Sequence, residues 1–130
     1  MTPEQLPPDE AARWMSVAVR DLNAAKLLSV EEPSASVFHS QQAVEKAAKA
    51  FLAFHNVPFR KTHDIQELGQ QCAALNPSLA VLLADADYLT DYAVVFRYLD
   101  APSAPDQQEA EQALQTAHQI CEQVNFLLVR

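Results

Sequence analysis

The chain has 130 residues, 49% of them apolar and 20% charged, with a net charge of −8, a sequence pI near 4.8 and a single glycine, Gly69. That length suits one domain with one core. The near-absence of glycine argues against the tight turns of a strand-rich fold, and the acidic balance argues against broad non-specific binding of nucleic acid. No apolar run approaches the length of a membrane span. The acidic start, MTPEQLPPDE, lacks the apolar region of a signal peptide. A cytoplasmic protein is expected, with Cys72 and Cys121 as reduced core residues.

Prolines and short polar stretches divide the chain into five helical segments. The first is expected from about Asp9 to Ser29, with Trp14, Val17, Ala18, Ala25 and Leu28 as its apolar stripe. The second is expected from about Ser34 to Asn56, capped by Ser34 or Ser36 and stopped before Pro58. A short third segment covers about His63 to Ala74, with Thr62 or His63 near its cap. The fourth starts near Pro77–Ser78 and runs to about Phe96. The fifth runs from about Pro105 to Leu128, with Pro105 in the first turn and a stripe of Ala110, Ala113, Leu114, Ala117, Cys121, Val124 and Leu128. Short connections imply antiparallel neighbours, so the expected fold is all-α: an up-down bundle of four to five helices in one domain over residues 1–130, with its core at about 9–128. The loop from Tyr98 to Ala104 is a candidate functional loop.

Polar residues that interrupt the apolar stripes are the informative ones. On a helical wheel, Gln41 and Glu45 fall among Val37, Val44, Ala48, Phe51, Leu52 and Phe38, while Lys46 and Lys49 lie further toward the polar side. Arg97 projects into the arc of Leu79, Leu82, Leu83, Ala86, Leu89, Ala93 and Phe96. Asp21 sits among Trp14, Val17, Ala25 and Leu28. A buried carboxylate needs a partner, and a guanidinium favours two-point pairing with carboxylate or phosphate. A polar cluster of Asp21, Gln41, Gln42, Glu45 and Arg97 is therefore expected, serving either to fix helix register or to hold a phosphate-bearing ligand. Tyr92 and Tyr98 flank Arg97 as rim residues or stacking partners for a base. His63, beside Arg60 and Lys61, lies in the one concentrated basic spot, ahead of a helix N-terminus where anions bind favourably. It also reads as a loop-closing residue.

Several chemistries lack their motifs. There is no glycine-rich phosphate loop, no zinc spacing, no paired Glu-x-x-His of a di-iron bundle and no nucleophile elbow. No metal or cofactor is expected.

The block FHSQQAVEKAAKAFLAFHNVPFRKTHDIQEL (residues 38–68), with RDLNAAKLL before it and DYAVVFRYLD after it, resembles the HEPN domain, the higher eukaryote and prokaryote nucleotide-binding family. The resemblance spans about residues 12–128. It implies a helical bundle, commonly homodimeric. Many members partner a small nucleotidyltransferase in paired systems of toxin–antitoxin type. Others bind nucleotides, or cleave RNA without metal through an Arg followed four to six residues later by a His. The positions it carries over are Asp21, Gln42, Glu45, Lys46, Lys49, His63, Asp64, Tyr92, Arg97 and Tyr98. The Arg-to-His spacing is missing, and Leu99 stands where the family has proline. The expected ligand-binding residues are thus Glu45, Lys46, Lys49, His63, Tyr92, Arg97 and Tyr98. The expected role is a dimeric module that binds nucleotide or RNA phosphate, or a nucleotidyltransferase. The alternatives are a divergent ribonuclease using Arg97 and His63, and a purely structural dimerisation module.

Overall fold

The computed structural model describes residues 9–91 and 104–128. Among these, every regular element is helical: α1 (Glu10–Leu28), α2 (Pro33–Phe54), α3 (Ile65–Ala73), α4 (Pro77–Asp85) and α5 (Gln107–Leu127). The all-α bundle expected from composition is the fold. No described helix is long and apolar enough to cross a membrane.

The ends of the helices follow local chemistry, with several shifts from expectation. Pro33 opens α2 at a position where its missing N–H costs nothing. Neither Ser34 nor Ser36 caps that helix. Ser36 is buried and donates its hydroxyl to the Ala25 carbonyl at 2.7 Å, tying α2 to α1. At the other end Asn56 takes a left-handed conformation, φ 58°. Asn56 N–H donates to Ala53 O and Val57 N–H to Leu52 O, closing the helix as a Schellman motif with Val57 on the core. Asp64, not Thr62 or His63, caps α3, accepting from the amides of Gln66 and Glu67. Asn76 caps α4. Asp106 and Glu109 form a reciprocal capping box on α5, which leaves Pro105 ahead of the helix rather than in its first turn.

The fourth helix does not run on as expected. It ends at Asp85, turns through residues 86–87, and residues 88–91 are helical again. Asp85 and Asp87 are poor helix formers, and carboxylates are unfavourable at a helix C-terminus. The turn still brings Leu83, Ala86 and Leu89 into the core, each fully buried. Phe96 and the Tyr98–Ala104 loop lie outside the described residues, apart from Ala104.

α2 is the central helix. From Ser36 to Ala53 all its residues are buried except Phe38, His39 and Lys46. α1, α3 and α5 surround it. Trp14 lies near Lys49, Asp21 near Lys46 and His39, and Ala25 near Ser36, so α1 runs antiparallel to α2. Small residues permit the close approach: Ala18 and Ala25 on α1, Ala43, Ala47 and Ala50 on α2, and Ala110, Ala113 and Ala117 on α5 have no exposed surface. Gly69 serves the same purpose between α3 and α4, where a Cβ would stand 3.2 Å from Leu83 Cβ.

The buried face of α1 is rotated from the expected stripe. Ala11, Met15, Ala18, Leu22 and Ala25 are buried, whereas Val17 is exposed and Trp14 and Leu28 are only half-buried. Hydrophobicity alone places Trp14 in the stripe, but an indole rim and polar neighbours suit the edge of the contact.

Cys72 and Cys121 are free and buried, and burial pushes both thiols up to about 12. Thiolate is the reactive form, so native protein at pH 8 should resist thiol-specific labelling until denaturant is added. In the unfolded chain the same thiols titrate near their ordinary value of 9.0. The raised folded value means their contribution to stability is fully present below that pH and is lost as pH rises toward about 12. A Cys72→Ala/Cys121→Ala variant should show a flatter fall in urea midpoint between pH 8 and pH 10 than wild type. An equally steep fall would count against the thiols as the cause.

Candidate functional site

The polar residues of α2 lie on one continuous face, bounded by α1 on one side and by the 57–64 loop on the other. Two carboxylate-centred groups are built on it.

The first is centred on Glu45, which is 2% exposed. Its Oε2 accepts from Lys49 Nζ at 2.9 Å, one helical turn on. Its Oε1 lies 2.8 Å from His63 Nδ1 and 3.4 Å from Gln41 Nε2. Carboxylate oxygens only accept, so Nδ1 carries the hydrogen and the ring turns Nε2 away from Glu45. The same Gln41 amide donates to the His63 carbonyl at 3.2 Å, and Gln42 Nε2 donates to Gln41 Oε1 at 2.6 Å. Backbone and ring of His63 are thereby held from one helix, while the side chain stays 55% exposed. Lys49, expected toward the polar side, is 6% exposed instead. Its ammonium lies 5.3 Å from the Trp14 ring centre and 5.9 Å from that of Phe59, so both aromatics cover it.

The second group is centred on Asp21 of α1. Its two oxygens accept from His39 Nδ1 and Lys46 Nζ, each at 2.8 Å. His39 is a third exposed, 32%, with its ring oriented by the carboxylate in the same way.

The expected cluster is therefore divided in its contacts. Gln41, Gln42 and Glu45 come together with Lys49 and His63. Asp21, on α1, instead joins His39 and Lys46, because Lys46, next to Glu45 in the chain, points about 100° further round α2, toward α1. Tyr92, Arg97 and Tyr98 lie outside the described residues. The sequence reading missed His39, whose signal was its spacing of seven residues from Lys46 on the same face. It also missed Trp14 and Phe59 as a cover for Lys49, a contact between distant segments that no local pattern announces.

The basic spot before α3 is smaller than its composition suggests. Arg60 donates to Glu67 at 2.6 Å. That hydrogen bond holds the Glu67 carboxyl below the usual carboxylate range and raises Arg60. The first amides of α3 are taken by Asp64. The N-terminus of α3 is therefore not open to an anion. The Ile65 amide donates to Thr90 Oγ1 at 3.3 Å, joining this loop to residues 88–91. Thr90 stands two positions before Tyr92 and seven before Arg97 in the sequence. His118 pairs with Glu122 on the exposed side of α5, away from both groups. Among the described residues no three His, Cys, Asp or Glu side chains are grouped to hold a metal ion.

The described residues thus define an all-helical bundle built around one central, nearly fully buried helix. Residues 11–127 match the HEPN domain, so the chain belongs to the HEPN domain family. Its fold is similar to that of an archaeal HEPN homologue, with TM-score 0.71 and 21% identity over 92% of this chain and 98% of the other. It is also similar to a protein from Thermus thermophilus, with TM-score 0.70 and 25% identity over 90% and 97% of the two chains. No curated protein matches the chain.

Proposed function

We propose that this HEPN protein acts by binding the phosphate of a nucleotide or RNA at the exposed His63 ring, as a dimeric module partnering a nucleotidyltransferase in a system of toxin–antitoxin type. The observation that carries the reading is the orientation of His63. Buried Glu45, itself paired with buried Lys49, holds the ring through Nδ1, and buried Gln41 holds the His63 carbonyl, while the side chain is 55% exposed. With Nδ1 held by Glu45 and the ring half-exposed, Nε2 is left available to a ligand. Arg97 enters the proposal as a second phosphate contact because the family resemblance carries it over as a site position. Dimerisation and partner binding draw on the apolar residues left on the surface, among them Val19, Leu27, Val30 and Phe126.

Calorimetric titration with ATP, GTP and a short single-stranded RNA tests this, using wild type, His63→Ala and Arg97→Ala. The expected result is at least a tenfold loss of affinity in each variant, the scale of one lost charge-assisted contact. Wild type that binds none of the three, or variants that bind as wild type does, would overturn it. Light scattering after size exclusion reads the dimer, and co-purification with a co-expressed neighbouring nucleotidyltransferase reads the partner.

One observation favours a ribonuclease as the second reading. A carboxylate on Nδ1 with Nε2 facing outward is how an imidazole is held for proton transfer. RNA cleavage lost in both His63→Ala and Arg97→Ala would move the protein to that class.

A further inference from the structure

A shallow, open recess lies on the N-terminal half of α1. It has a volume of about 260 Å³ and is lined by Glu10, Arg13, Trp14 and Val17. Ligand pockets for whole drug-sized molecules run from about 300 to 1,000 Å³, so this one suits a single small ring system. Its wall is the only tryptophan of the chain. The indole is fixed by Phe59, edge to face at 5.9 Å and 67°, and by the buried Lys49 ammonium. The rim carries a donor, Arg13, whose 3.8 Å pairing with Asp9 is between two well-exposed groups and competes weakly with a ligand. Glu10 supplies an acceptor.

A fixed aromatic face with one donor and one acceptor at its edge matches a nucleobase, which stacks through its π-face and hydrogen-bonds through its rim. The recess is also coupled to His63. Lys49 touches the indole on one side and Glu45 on the other, and Glu45 holds the His63 ring. We infer that the Trp14 recess is the base subsite of the ligand whose phosphate is bound at His63. The inference rests on the phosphate reading above and adds to it the selectivity for a base-bearing ligand. Both free nucleotides and single-stranded RNA carry the required chemistry.

Trp14 reports its own occupancy, because no other tryptophan contributes to the emission. The full chain is titrated with ATP, GTP, a short single-stranded RNA and inorganic tripolyphosphate, following tryptophan fluorescence and binding heat together. The nucleotides are expected to quench Trp14 with the same midpoint that calorimetry gives, and tripolyphosphate is expected to bind at least tenfold more weakly without quenching. Val17→Glu, at an exposed position on the recess, is expected to lower the ratio of ATP to tripolyphosphate affinity at least tenfold, with circular dichroism confirming that it folds. Tighter quenching by RNA than by ATP assigns the subsite to RNA, and the reverse assigns it to the free nucleotide. Nucleotide binding with unchanged Trp14 emission and an unchanged ratio in Val17→Glu overturns the base subsite and leaves the phosphate site standing. Absence of binding by any of the ligands overturns both.

Discussion

Replacing Glu45 by alanine should destabilise the protein by about 3–5 kcal/mol, the cost of leaving a buried charge without its partner. The stranded group is Lys49, which is 6% exposed and covered by Trp14 and Phe59. It can reach water only by displacing those rings. His63 Nδ1 loses its acceptor in the same step, leaving the Gln41 bond to the His63 carbonyl to tie that residue to α2. Small domains are stable by only about 5–15 kcal/mol, so the single variant sits near the limit of folding. The double variant Glu45→Ala/Lys49→Met keeps the result readable, because methionine fills the space under the aromatic rings without a charge. Denaturant titration of both single variants and the double should show the double recovering at least half of the Glu45→Ala loss. Additive losses, within about 0.5 kcal/mol, would mean that the two side chains do not depend on each other.

The second large effect separates two phenylalanines that look alike in the sequence. Phe51→Ala should cost about 3–5 kcal/mol, and Phe126→Ala less than about 0.5 kcal/mol. Phe51 is 2% exposed in the last turn of α2 and belongs to the core cluster, so truncating it leaves a cavity there. Phe126 is 74% exposed near the end of α5. Urea midpoints of the two variants measured side by side test the assignment. A loss at Phe126 comparable to that at Phe51 would show that the exposed ring is covered in solution, as an interface between copies would cover it.

The positions of these residues also show what sequence reasoning reaches. The α5 stripe of Ala110, Ala113, Ala117, Cys121 and Val124 is legible because one face of an outer helix is apolar and the rest is polar, so period and burial coincide. α2 is not legible in this way. It is covered on nearly every side, so its wheel has no clear boundary between core and surface, and Lys49 falls on the buried side of a line that composition places elsewhere. The inward turn of Glu45 follows from its place on the wheel. Its partners do not, since His63 is eighteen positions away and Trp14 is on another helix.

By itself, the amino-acid sequence determined the helical class, the approximate places where helices start and stop, and the fact that Glu45 needed an internal partner. These depend on contacts within a few residues: proline and Asn or Asp at the ends, apolar spacing between them, and the cost of an unpaired buried charge. Only the tertiary structure decided the pairing. Asp21 went to His39 and Lys46, Glu45 to Lys49 and His63, and Trp14 came to the edge of the core, where it walls a recess. The physical reason is that such choices are made by the packing angle and axial offset of one helix on another. Small residues such as Ala18, Ala25, Ala43 and Ala47 set those quantities together, and no single segment carries them.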